Sequence, residues 1–277
     1  MKIQAPLSEI IRFNPRANGY NAHNALVLAD AARLAYWEPD QIEDYLRSHM
    51  NMENFHFLDH NDTQAFITKN REMILISFRG TEHRVFKDWL VDTKVDKVRG
   101  PGGIGKVHRG FNDALDEIWE ELLKIIHQFR TENQSIWLTG HSMGAALATI
   151  CSARLHWDEN IKTQGFYSFG KPRIGDKNFS RAFNSFCKNR CFRFVNNNDL
   201  VPKFPPYILG YKHVGRELQF NHRGILTTPS GSLSKIFYSI TARVRSIENL
   251  GLDYLLDHDK NKYLKLVHKN IRVIPAF

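Results

Sequence analysis

Residues 135–150 read SIWLTGHSMGAALATI, and no other stretch limits the possible folds as much. An apolar run with strand character meets a knot of small residues, and apolar residues then recur at helical spacing. Gly140-His141-Ser142-Met143-Gly144 fits the pattern G-x-S-x-G. Such a turn from strand to helix is so sharp that its serine is held in a strained backbone conformation. Side chains at the two flanking positions would strike neighbouring backbone, so glycine fits there. The strain lifts the hydroxyl clear of the sheet edge, where the free N–H groups of a helix start face a developing oxyanion.

The chain around this turn alternates in the way such a turn requires. Residues 19–37 and 40–50 have helical spacing, and Ala25, Leu28, Ala32 and Leu34 share a face. NFHFLD, TQAFITKN and MILISFRG are short and rich in β-formers, with Asn70-Arg71-Glu72 as a turn between the last two. GPGGIG at 100–105 is a loop. A long amphipathic helix over 112–130 is expected, with Asn112 as its cap. SIWLT is then a strand, residues 143–157 a helix, TQGFYSFG a strand, residues 176–188 a helix and CFRFVNN a strand. Apolar strands alternating with helices predict a mostly parallel central sheet with helices on both faces, an α/β fold. No linker is visible, so residues 1–277 read as a single domain.

A serine nucleophile needs a base, and the base an orienting carboxylate. In chains with this turn the order is serine, acid, histidine, with the later two on loops beyond later strands. Asp199 follows CFRFVNN directly. Asp176 is its rival, although its place at a helix start suits a cap. The histidine is one of His213, His222, His258 and His268, and spacing alone does not choose among them.

Composition removes other classes. The chain has 277 residues, 42% hydrophobic and 24% charged, as in ordinary globular proteins. No run approaches the ~18 apolar residues of a membrane span, and MKIQAPLSEIIRFNPR lacks a signal-peptide core. A cytoplasmic protein without a transmembrane segment is therefore expected, export without a visible signal aside. Cys151, Cys187 and Cys191 make an odd number and are expected as buried thiols. The net charge is +9, of which +7 lies beyond residue 200. A basic tail suits anionic lipid or a solvated face; with no accompanying motif, it does not point to nucleic acid.

Three ordered motifs resemble the class 3 lipases, an α/β-hydrolase family: SFRGT at 77–81, LTGHSMGAALA at 138–148, and SFGKPRIGD followed by FRFVNNNDLVPKFPP within 168–206. The resemblance spans roughly residues 20–267 and implies the α/β-hydrolase fold. It also implies that Ser142 is the nucleophile, Asp199 the orienting acid and His258 the base. The amides of Thr81 and Met143 would form the oxyanion hole, and His141 would pack rather than react. YKHVGRE is similar to a family stretch whose histidine, here His213, is structural. Met143 and Ala145 replace the Leu and Gly common in the family, and DHDKNKY around His258 departs furthest from it.

The implied activity is hydrolysis of acylglycerol esters through an acyl-enzyme, with no metal or organic cofactor required. Phospholipase A1 and feruloyl esterase are family alternatives. A non-catalytic scaffold that binds lipid or a protein is the alternative of another class. The expected partner is a lipid or ester substrate, with peripheral contact to a lipid surface. Two expected helices bear on that contact, with packing on the core as the alternative for each and the expected one for the second. Residues 82–92 correspond to the family's lid, and Leu233, Ile236, Phe237, Ile240 and Val244 form one apolar face flanked by Lys235, Arg243 and Arg245.

Overall fold

The computed structural model describes residues 13–81, 95–131, 133–187, 189–197, 199–228, 257–273 and 275. The expected lid at 82–92 and the basic amphipathic helix at 232–246 lie outside the described residues. Ten strands are described: β1 (Asn54–His60), β2 (Thr63–Lys69), β3 (Met73–Phe78), β4 (Lys97–Arg99), β5 (Lys106–His108), β6 (Ser135–His141), β7 (Gly165–Phe169), β8 (Cys191–Asn196), β9 (Arg216–Phe220) and β10 (Leu226–Thr227). The helices are α1 (Ala22–Leu34), α2 (Pro39–Met50), α3 (Arg109–Phe129), α4 (Met143–Trp157), α5 (Lys177–Cys187) and α6 (Lys260–Lys269).

Eight strands form one sheet in the order β1-β2-β3-β6-β7-β8-β9-β10, while β4 and β5 pair separately. From β3 to β9 neighbours run parallel; β1, β2 and β10 add antiparallel edges. This is the α/β-hydrolase arrangement, a mostly parallel sheet with helices on both faces.

The period-two alternation of the strands divides the interior into two cores. In β3, Ile74, Ile76 and Phe78 enter the core that holds Phe111, Leu115 and Ile118 of α3 with Leu147 and Ile150 of α4. Met73 and Leu75 face the opposite core, among Leu26, Leu28 and Leu34 of α1, Ile42 and Leu46 of α2, and Tyr263 and Val267 of α6. Small polar rungs let α1 lie close to the sheet. Ser77 Oγ donates to Ala31 O at 3.0 Å and Thr139 Oγ1 to Leu28 O at 2.9 Å, so hydroxyls buried among apolar groups keep acceptors.

Two local expectations change. The long helix starts at Arg109, not at Asn112, because burial of Phe111 draws the preceding turn into the helix. Asn112 then lies on the first turn, donating to Asp116 and accepting from Arg154 Nη2. Cys187 and Cys191 are joined as a disulfide where α5 turns into β8, and Cys151 remains the buried free thiol. Asp176 is a cap, its Oδ1 accepting from Phe179 N at 2.8 Å.

Candidate active site

The parallel register places the ends of β6, β7 and β8 along one edge, and three loops leaving it build the site. The first is the turn from β6 into α4. Ser142 adopts φ 58° and ψ −128°, a region that costs a non-glycine residue energy and persists only where the surroundings enforce it. The enforcement is steric. A Cβ on Gly140 would lie inside the backbone of Gly144 and Ala145, and one on Gly144 would overlap Phe78 O at the end of β3. The turn is thereby clamped to its own helix and to the neighbouring strand. Ser142 N donates to Phe169 O at 3.0 Å, which ties the turn to β7. Ser142 is 1% exposed, and its Oγ makes no hydrogen bond among the described residues.

The second loop follows β8. Asp199 N donates to Asn196 O at 3.0 Å, and Asp199 Oδ1 accepts from Val201 N at 2.9 Å, so the side chain is fixed by its own turn. Its Oδ2 accepts from two groups, His258 Nδ1 at 2.8 Å and the Tyr263 hydroxyl at 2.6 Å. Asp199 is fully buried and His258 is 3% exposed. Because a carboxylate offers acceptors only, Nδ1 carries the imidazole proton in this contact, and the lone pair of a neutral ring is on Nε2.

The third loop enters α6. Asp257 O accepts from Asn196 Nδ2 at 2.9 Å, and Asp259 Oδ1 caps α6 by accepting from Lys262 N at 3.0 Å. His258 stands between these attachments. Its carbonyl accepts from His141 Nε2 at 2.6 Å, the two imidazoles lie 4.4 Å apart, and Tyr36 completes the chain with its hydroxyl 3.0 Å from His141 Nδ1. His141 therefore tethers the His258 backbone as well as packing against it. Behind the pair lies Gly170, at φ +61°, directly after the residue that holds Ser142 N. A Cβ there would come within 2.8 Å of His258 Cε1 and 3.0 Å of Asp199 Oδ2.

The structure brings Asp199 and His258 into contact and sets Ser142 beside them, through Phe169-Gly170 and through the His141–His258 stack. Thr81 follows β3, and its hydroxyl donates to Met143 Sδ at 3.2 Å, which sets it against the start of α4. The other histidines lie elsewhere. His213 is half-buried with Nε2 donating to Pro202 O at 2.7 Å, and desolvation of its ring beside Arg193, Arg173 and Lys171 drives its pKa well below the usual value. His222 is in a surface turn and His268 lies in the last turn of α6.

Tyr263, Asn196 and Gly170 are the parts that sequence reading missed. Tyr263 accepts from Asn196 N at 2.9 Å while donating to Asp199, and burial beside that carboxylate pushes its phenol well above its usual range. Its position one turn into α6 after His258 was the available signal. Among the described residues no three His, Cys, Asp or Glu side chains converge as metal ligands, and no helix is long and apolar enough to cross a membrane.

Residues 75–208 match the model of the lipase (class 3) family. The lipase of Rhizomucor miehei is 33% identical over 165 residues, covering 56% of this chain and 44% of that protein. A protein of Oryza sativa subsp. japonica named phospholipase A1-II 4 is 26% identical over 234 residues, covering 73% of this chain and 57% of the relative. The solved structure of Rhizomucor miehei triacylglyceride lipase shares the fold with a TM-score of 0.60 at 24% identity, covering 79% of this chain and 89% of the other. The chain spans about half the length of the curated relatives it matches.

Proposed function

From the premise that this chain belongs to the class 3 lipase family, we propose that it is a serine carboxylic ester hydrolase acting on acylglycerols. The observation that carries the reading is Ser142 at positive φ, between glycines that cannot be larger, beside a buried His258–Asp199 pair. Serine in that conformation has no purpose as a simple turn, where glycine or asparagine would be less strained.

In this mechanism His258 Nε2 takes the proton from Ser142 Oγ as the oxygen attacks the ester carbonyl carbon. Asp199 holds the ring in the tautomer that puts the accepting lone pair on Nε2, and stabilises the imidazolium that forms. The carbonyl oxygen gains its negative charge in front of the Met143 amide, at the positive end of α4, and of Thr81. Each such donor is worth roughly 3–4 kcal/mol in a protease precedent. His258 then protonates the departing alcohol, leaving an acyl group on Ser142. Water, deprotonated by the same Nε2, attacks that acyl carbon and releases the acid and the serine. A buried Ser142 Oγ without a hydrogen bond among the described residues fits this scheme, since such contacts tighten when substrate arrives.

Phospholipids are the second reading, supported by the relative named phospholipase A1 and by the +9 charge. The experiment is labelling with a fluorophosphonate, beside hydrolysis of a chain-length series of p-nitrophenyl esters, a triacylglycerol emulsion and a phosphatidylcholine emulsion. Labelling and turnover that both vanish in Ser142→Ala support the assignment. Persistent turnover in that variant removes it, and absence of labelling in the parent favours a binding scaffold. Cleavage of triacylglycerol over phosphatidylcholine, or the reverse, decides between the two substrates.

A further inference from the structure

The turn Tyr207–Leu209 is a short 3₁₀ helix on the segment that leaves Asp199, and it is built against the usual rule for apolar side chains. Tyr207 is 60% exposed, Ile208 74% and Leu209 44%. A single exposed apolar residue needs no explanation, but three in succession on one turn keep a contiguous apolar surface in water. The turn is also rigid. Arg173 N donates to Phe204 O at 2.7 Å and Arg173 Nη1 to Pro205 O at 2.9 Å, fixing its base. Leu209 N and Gly210 N donate to Pro206 O and Tyr207 O, and Lys97 Nζ reaches Leu209 O. Binding would therefore cost little ordering entropy.

Cations surround this tip. Lys212 Nζ lies 3.0 Å over the Tyr207 ring, and Lys97 Nζ lies 4.3 Å over the Tyr211 ring. Lys203 and Lys177 are exposed nearby, and the pull of Lys212, Lys177 and Arg173 lowers the pKa of the Tyr207 phenol. Asp96, whose backbone carbonyl accepts from Tyr211, is an acid adjoining this group, and Glu217 acts on Arg173 at its base. Exposed apolar side chains with ammonium groups beside them suit the acyl boundary and phosphate plane of an anionic bilayer. The tip lies on the segment that leaves Asp199, beyond the end of β8, whose parallel neighbour β7 pairs with the β6 strand that leads to Ser142.

We propose that Tyr207–Leu209 with its collar of Lys97, Lys203 and Lys212 is a docking element for an anionic lipid surface. The inference deepens the ester-hydrolase reading by naming the surface on which substrate is met, and rests on that reading for its purpose. The test is flotation of full-chain Ser142→Ala, which leaves the lipid intact, with phosphatidylcholine vesicles that contain or lack phosphatidylglycerol. The expected result is binding that favours phosphatidylglycerol and weakens with salt. Ile208→Ser with Leu209→Ser should lower partitioning at least about tenfold, since two exposed apolar side chains lose their transfer gain. Lys203→Gln with Lys212→Gln should erase the preference for the anionic vesicle. Single Ile208→Asp serves if the paired change melts early, because it alters the most exposed position alone.

Equal binding to both vesicles, or partitioning indifferent to the apolar changes, overturns the proposal, including the case in which the tip seats a protein. Hydrolysis of a soluble p-nitrophenyl ester, with Ser142 intact, separates the two readings. The Ile208→Ser, Leu209→Ser protein should keep parental rates on it. A parent that docks but cleaves no ester removes the hydrolase reading and leaves the docking element; a parent that cleaves but does not dock does the converse.

Discussion

Asp199 Oδ2 accepts from both His258 and Tyr263, so the carboxylate is oriented by more than the ring it orients. The raised phenol pKa of Tyr263 keeps it a proton donor at any pH where the protein would act. Tyr263→Phe removes that donor without changing volume much. We expect a loss of about 1–3 kcal/mol in stability, the usual cost of leaving a buried polar group short of a partner, read by urea unfolding. Turnover of a soluble ester should fall about tenfold, far less than the ~10⁴ expected for Asp199→Asn, where the imidazole tautomer itself goes wrong. Equal losses in the two variants would show that Tyr263 does more than support the acid. Gly170→Ala tests the wall behind the pair. Its Cβ would meet His258 Cε1 at 2.8 Å in a backbone region that disfavours alanine, so kcat should drop while KM for a short ester holds.

At the scale of elements, the turn from β6 into α4 is a joint between three backbones. Gly144→Ala would force Phe78 O away and part the turn from β3, from whose end Thr81 continues. The expected outcome is a lower melting temperature together with lost ester turnover, whereas Ala145→Gly, one position along the same helix, should cost only about 1 kcal/mol of helix propensity. A Gly144→Ala protein with parental melting and rates would refute the clamp. This joint was legible in the sequence because glycine spacing, strand and helix lie within sixteen consecutive residues. The alternation of strands and helices from β1 to β8 was legible for the same reason, since periodicity is local. The β4–β5 pair and β10 are two or three residues long, too short to carry a period. Tyr263 and Asn196 escaped because their bonds join residues more than sixty positions apart and leave no pattern in either stretch. The same distance kept four histidines open on spacing, and their separation needed the resemblance. The Cys187–Cys191 bridge was missed because an odd cysteine count argued against pairing.

For the whole molecule, two desolvated histidines shape the response to acid. Burial, reinforced by Arg193, Arg173 and Lys171, holds His213 well below its ordinary pKa, and burial brings His108 down to about 4 against the opposing pull of Asp113 and Asp96. Both are neutral when folded near neutrality, while the unfolded chain protonates them near 6.5. Between those values the unfolded chain binds more protons, so stability is full above about pH 6.5 and falls as pH drops towards 4. Melting temperatures should decline across that window, and His213→Gln should flatten the decline even if it lowers stability at neutral pH. A slope unchanged by His213→Gln would assign the response to other groups. The two cores have a different consequence. The second core closes only when α6 covers α1, and α6 brings His258 with it. A ribosome that has already released the Ser142 turn must still add β7 through β10 before the base exists. On the proposed mechanism the nascent chain thus carries Ser142 unarmed, and any attack on the esters of the cell that makes it would wait for synthesis to pass α6.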